Sequence, residues 1–310
     1  MATERTGTQQ QIRLGLLGFG EVGFGLALGL RNAGIHSVAA YQRPPLSALT
    51  LERIRQSGIS LLSSPADLAA RADVIVAVTQ GAESLDAAHS VAPYLHAAHC
   101  YADLASTTPK TKVVIGDVLS ASGALYCDGA IEGSPLEHGH RLPIIVSGPG
   151  GEYFGEVLNP WGMNIRCVGT AIGKAAAIKG VRQILTKGHI ALLIECAMAA
   201  ELLGISDAVF ESAAQWFDGA PFSVNANRLL RTTAVHARRR AEEADMAVAI
   251  ERELGLEPVM SVATLDLLQR VAALDLRTVL GGVPPDSGRA AIQMMASVIR
   301  ARPRYQEGNV

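Results

Sequence analysis

The run LGLLGFGEVGFGLALGL, residues 14 to 30, constrains the fold more than any other stretch of this chain. Glycines at 18, 20 and 23 stand among residues that are otherwise almost all aliphatic. They mark either a seat for a phosphate or a turn between closely packed buried elements. The bare spacing is weak evidence, because 31 of the 310 residues are glycine. Context decides between the two. Ile12 to Leu17 reads as a short apolar strand, and Glu21 to Arg31 carries apolar residues at helical spacing. Gly18, Gly20 and Gly23 thus fall at a strand-to-helix turn. A side chain at Gly18 or Gly20 would obstruct the turn or hold a pyrophosphate away from the backbone, Gly23 lets helix and strand pack closely, and the helix N-terminus aims unpaired N–H groups at the phosphates. A dinucleotide site is the expectation, with Gly18, Phe19, Gly20, Glu21, Val22 and Gly23 forming the turn.

Apolar strand-like runs then recur at Ser37 to Tyr41, Val74 to Val78, His99 to Asp103, Leu125 to Asp128 and Pro143 to Ser147, with helical segments between several of them. That alternation predicts an α/β Rossmann-type domain with a doubly wound, mostly parallel sheet. Past Gly169 the pattern turns to long alanine- and leucine-rich helical segments, the first from about Gly173 to Leu203. The expected domains are therefore residues 1–168, dinucleotide-binding, and 169–310, all helical, serving substrate binding and dimerisation.

Bulk properties exclude several classes. A net charge of −2 and a pI near 6.5 offer no electrostatic footprint for nucleic acid. The longest apolar stretch, Ile190 to Leu203, is interrupted by Glu195 and Glu201 and is too short to cross a bilayer. The start, MATERTGTQQQ, lacks the apolar segment of a signal peptide, and both ends read as loose. Four widely spaced cysteines (100, 127, 167, 196) read as free thiols in a reducing cytoplasm. Glu137-His138-Gly139-His140 has metal-ligand residue types but no partner cluster, so it is expected to be a solvated loop and no metal is expected.

Cofactor choice rests on the end of the second strand, Ala39-Ala40-Tyr41-Gln42-Arg43. No carboxylate stands there to take ribose hydroxyls, and Arg43 is able to pair with a 2′-phosphate, which favours NADP(H) over NAD(H). Thr79, just past the Val74 to Val78 run, is also assigned to the cofactor.

With these residues in hand, the chain resembles the β-hydroxyacid dehydrogenase superfamily, which includes phosphogluconate and 3-hydroxyisobutyrate dehydrogenases, and within it a short subgroup with a compact helical C-terminal domain. GFGEVG matches the first family motif, Asp103-Leu-Ala-Ser-Thr-Thr-Pro109 the second, Asp128-Gly-Ala-Ile-Glu-Gly133 the third, and Gly173 with Lys179 the fourth. The resemblance implies Lys179 as the catalytic lysine, Ser106 as a catalytic and substrate-contacting hydroxyl, and a dimer through the helical domain. The chain departs from the family at Ala105-Ser106, at Glu132-Gly133-Ser134 and at Arg182-Gln183. Glu132 would repel an acid substrate if it faced the site.

Counted from Lys179, residues Arg182, Gln183, Thr186 and Lys187 share one side of a helix. This polar stripe is expected to line the cleft between the domains, with Lys179 exchanging a proton and Arg182 and Lys187 holding an anionic group. Gly133 and Gln183 join the substrate set. His236 opens HARRRAEE and joins it by resemblance, although Arg238 with Glu242 and Arg239 with Glu243 also suit a solvated helix surface. The leading expectation is a cytoplasmic NADP(H)-dependent oxidoreductase acting on a small hydroxy or oxo compound. The alternatives are an imine reductase-like enzyme, to which Glu132 points, and a non-catalytic NADPH-binding partner.

Overall fold

The computed structural model describes residues 12–300, and side chains to residue 296. The loose ends expected from the sequence lie largely outside that range. Two compact units divide at Ile184 and Leu185.

The first unit is built on one eight-stranded sheet. Its strands are β1 (Leu14–Leu17), β2 (Val38–Tyr41), β3 (Ser60–Leu61), β4 (Val74–Ala77), β5 (Cys100–Asp103), β6 (Leu125–Ile131), β7 (Pro143–Ser147) and β8 (Asn164–Cys167), in spatial order 3-2-1-4-5-6-7-8. Every pairing is parallel except β6 with β7. The helices are α1 (Glu21–Asn32), α2 (Ala48–Ser57), α3 (Pro65–Arg71), α4 (Ser84–Val91), α5 (Pro109–Ser120), α6 (Pro135–His138), α7 (Gly151–Leu158) and the long α8 (Lys174–Leu202). The strand order reverses beside β1, and it is at such a switch point that open α/β sheets bind their ligands.

Strand periodicity explains the two cores. Leu14, Leu16, Val74, Val76, Cys100 and Ala102 face one way and pack with Leu26, Leu30 and Phe154. Leu17, Ile75, Ala77 and Tyr101 face the other way and pack with Leu68, Ile115 and Leu119. Successive side chains alternate, and both faces are covered by helices, so these strands read as unbroken apolar runs. Helix starts follow local chemistry: Ser47, Ser64 and Thr108 each accept a backbone N–H three residues on, the last two with proline at the first helical position.

The all-parallel alternation holds as far as β6, then changes. The β6–β7 connection carries only the single turn α6 and a 3₁₀ turn at Gly139–Arg141, too short for a parallel crossover, so β7 returns antiparallel. Two strands are invisible to the sequence reading. β3 has two residues, and β8 alternates exposed and buried positions at the sheet's edge. The expected loop at 137–140 instead continues α6 into a turn, and half-buried His140 packs over Gly29 of α1. Burial, seconded by Arg141, holds its imidazole pKa below the usual range.

In the second unit α8 is followed by α9 (Ser206–Phe217), α10 (Phe222–Glu253), α11 (Val259–Ala272), α12 (Leu276–Val279) and α13 (Gly288–Arg300), with no strand among the described residues. Its core is small: Ala234, Ala237, Val271, Ala291 and Met295. Glu195 of α8 caps α11, accepting the N–H groups of Met260 at 2.8 Å and Ser261 at 2.7 Å.

Candidate active site

The glycine turn has three different jobs. Gly18 adopts φ +99°, and a Cβ on it would sit 3.1 Å from the Val78 carbonyl oxygen. A Cβ on Gly23 would lie 2.9 Å from the Gly18 carbonyl oxygen, so α1 and β1 approach as closely as glycine allows. A Cβ on Gly20 would meet nothing within 4 Å. Gly20 therefore borders open space at the N-terminus of α1, where the N–H groups of Glu21, Val22 and Gly23 have no carbonyl one turn back to receive them. Phe19 is buried, and its N–H donates to Gln42 Oε1 at 2.7 Å, which ties the turn to the end of β2. Beside it, Thr79 Oγ1 is buried without a hydrogen-bond partner. An open cradle of N–H groups and an orphaned hydroxyl fit the phosphate and ribose side of a dinucleotide.

Arg43 is not alone. No acid stands near it in the sequence, yet Glu83, in a 3₁₀ turn after β4, accepts from Arg43 Nη2 at 3.0 Å. Both line a small pocket with Leu17, Gly18, Tyr41 and Thr79.

A larger cavity of about 630 Å³ is bordered by Ser106, Gly129, Ala130, Ala176, Lys179 and Gln183, among others. Here Lys179 Nζ donates to Ser106 Oγ at 2.7 Å. Burial holds the Lys179 pKa below the usual lysine range, helped by the charges of Lys112 and Arg182 and opposed by Glu132. Glu132 does approach the lysine helix, where its Oε1 accepts from Arg182 Nη1 at 3.1 Å. Arg182 is thus already engaged with a carboxylate. Gly133 is explained by packing, since a Cβ there would come within 2.9 Å of Pro143. Exposed Lys187 and half-buried His236 belong to the second unit, on α8 and α10. On the same face region of α10, Arg239 pairs with Glu243 at 2.7 Å as the offset-four reading expects.

What positions Lys179 was missed in the sequence. Lys112 of α5 is wholly buried, its Nζ 2.9 Å from Asp103 Oδ2 and 3.7 Å from Asp128 Oδ1, and it donates to the Asp103 carbonyl at 2.7 Å. Asp128 Oδ2 in turn accepts the Gly173 N–H at 2.9 Å and the Ser147 hydroxyl at 2.9 Å, while Ser147 Oγ accepts the Ala175 N–H at 2.9 Å. A buried ion cluster therefore caps the first turn of α8, five residues before Lys179. Burial drives the Asp103 pKa upward and Lys112 opposes the rise. The signal was present: Lys112, Ile115 and Leu119 recur at helical spacing on the buried ridge of α5, with a lysine where an apolar residue belongs.

Among the described residues no three His, Cys, Asp or Glu side chains gather as a metal site. None of the described helices is long and apolar enough to cross a membrane.

Residues 13–169 match the family model of the NAD-binding domain of 6-phosphogluconate dehydrogenase. The chain belongs to this family. The chain is an NAD(P)-dependent oxidoreductase of the hydroxyacid dehydrogenase type. Residues 200–271 match a second model, the domain of unknown function DUF1932. The L-threonate dehydrogenase of Cupriavidus necator is 28% identical over 203 residues, which cover 63% of this chain and 66% of that protein. A conserved protein, MTH1747, whose structure was described as similar to 3-hydroxyacid dehydrogenases, is 31% identical, covering 86% of this chain and 98% of its own, with a TM-score of 0.58. A reductive aminase from Aspergillus terreus, solved with NADPH4, cyclohexanone and allyl amine, shares the fold at 16% identity and a TM-score of 0.74, over 94% of this chain and all of that one.

Proposed function

We propose that this family member is an NADP(H)-preferring oxidoreductase that interconverts a small hydroxy compound and its oxo form, with Lys179 as the proton-transfer group. The observation that carries the reading is the 2.7 Å contact of Lys179 Nζ with Ser106 Oγ at the wall of the large cavity. A bound nicotinamide supplies the hydride chemistry. Gly20 and the first N–H groups of α1 hold its phosphates, Thr79 meets the ribose side, and Arg43 reads the 2′-phosphate. Ser106 accepts from Lys179 and so keeps its own hydroxyl proton for a substrate oxygen. Neutral Lys179 takes the proton of the substrate hydroxyl in oxidation, and the ammonium returns it in reduction. Burial lowers the lysine pKa, which favours the neutral form the step requires.

Glu132 supports a second reading, an imine reductase-like enzyme. Its carboxylate reaches the lysine helix and suits a cationic or amine-bearing substrate better than a carboxylate. Within either reading the substrate is a small molecule, and the mild net charge argues against nucleic acid. We further read the protein as cytoplasmic, and as a homodimer through the helical domain. Large apolar side chains such as Ile194, Phe217 and Phe222 are more than half exposed there, while the unit's own core is mostly alanine.

The test is Lys179→Met with hydroxy acids, oxo acids and imines as substrates. Turnover should fall about 100-fold or more, with NADPH binding, followed by nicotinamide fluorescence, within twofold of the unaltered protein. Full turnover in the variant would remove the lysine from the chemistry. Turnover of imines alone would select the second reading.

A further inference from the structure

We propose that Glu83 sets the margin of cofactor choice by competing with a 2′-phosphate for Arg43. The inference rests on the reading of Arg43 as the residue that meets the 2′-phosphate. Arg43 leaves the end of β2, and Glu83 reaches it from the turn after β4, a strand separated from β2 by β1, closing a 3.0 Å ion pair in the lining of the pocket that Gly18 and Thr79 also border. Asp86 lines the same pocket. One cation and two carboxylates thus surround the space beside Arg43, and the nearer carboxylate already occupies the guanidinium.

The turn that carries Glu83 is held in place. Its Glu83 N–H donates to the Gln80 carbonyl at 2.9 Å, and the buried Ser84 hydroxyl donates to the Gly81 carbonyl at 2.8 Å. Gly81 packs so tightly against the Ser106 carbonyl that a Cβ there would collide with it. Glu83 is therefore presented to Arg43 by a turn held through its own hydrogen bonds and packed against the Ser106 carbonyl. A phosphate monoester, carrying between one and two negative charges near neutrality, must pull Arg43 from Glu83 and then sit beside that carboxylate. A ribose 2′-hydroxyl meets the opposite situation, because it donates a hydrogen bond to a carboxylate while Arg43 stays paired. Glu83 does from β4 the work that an acid at the end of β2 does in NAD-specific sites. The site accepts both cofactors, with Arg43 favouring one and Glu83 the other.

The experiment is a fluorescence titration with NADPH and with NADH of the unaltered protein, E83Q, R43Q and the double variant. The Arg43 and Glu83 side chains are 61% and 46% exposed, so the variants are expected to fold, and a thermal melt of each checks it. E83Q should tighten NADPH at least fivefold and leave NADH unchanged or weaker. The NADPH gain should shrink in the R43Q background, because the carboxylate then has no guanidinium to withhold. If R43Q weakens NADPH tenfold while E83Q leaves the NADPH to NADH ratio within twofold, the Arg43 reading stands and the role of Glu83 is overturned. If R43Q leaves NADPH binding unchanged, Arg43 does not read the phosphate and both proposals fall.

Discussion

Three glycines in one turn separate folding from binding residue by residue. Gly23 is required by the fold, since its Cβ would meet the Gly18 carbonyl oxygen at 2.9 Å. Gly20 has a backbone φ of −82° that alanine also adopts, and open space where a Cβ would go. Gly23→Ala should therefore cost about 1–3 kcal/mol of stability, read from urea unfolding. Gly20→Ala should leave the unfolding midpoint in place and weaken NADPH tenfold or more, as seen in a fluorescence titration. Equal loss of stability in both variants would show that Gly20 serves packing instead. Lys179 carries a pH prediction of the same local kind. Burial and the charges of Lys112 and Arg182 depress its pKa, so oxidation should rise as pH passes upward through that lowered value, and reduction should fall over the same limb. Arg182→Gln removes a cation and frees Glu132, and both changes raise the lysine pKa. The oxidation limb of the pH–rate profile should move to higher pH, and a limb that stays put would mean that another group titrates.

At the level of elements, the long helix α8 is aimed by its first turn. Its leading N–H groups bond to side chains from β6 and β7, Asp128 and Ser147, and the Lys112 ammonium of α5 balances Asp128 and Asp103 from below the surface. Removing the cation leaves two carboxylates in a dry interior. Lys112→Met is expected to cost about 3–5 kcal/mol, measured by denaturant unfolding, and to lower turnover through displacement of α8. Stability unchanged by that substitution would show that the cluster contributes nothing net. Most of these elements were legible in the sequence. The expected helix Glu21 to Arg31 is α1 to within a residue, and the expected Gly173 to Leu203 helix is α8. Missed were β3 and β8, whose short or alternating runs carry little periodic signal, and the reversal at β7, which depends on how far a connection must travel.

For the whole molecule, the exposed apolar side chains of the helical unit lead to a prediction about assembly. Sedimentation equilibrium at micromolar concentration should show a dimer, and Ile194→Glu, at a position 58% exposed in the single chain, should shift it toward monomer. A monomer at all concentrations would end that reading. The sequence by itself determined the glycine turn, the strand and helix alternation, the passage to an all-helical second half and the motif residues Asp103, Ser106, Asp128 and Lys179. The first three are written in neighbouring residues, through backbone sterics and side-chain periodicity, and the motif residues were singled out by the family resemblance. Only the tertiary structure decided which of them meet. Lys179 and Ser106 are 73 residues apart in the chain and 2.7 Å apart in space, and Arg43 finds Glu83 across 40 residues. Charge pairing depends on distances through space that no local pattern records, so the acid beside Arg43 and the cation buried beneath the lysine helix emerged with the fold.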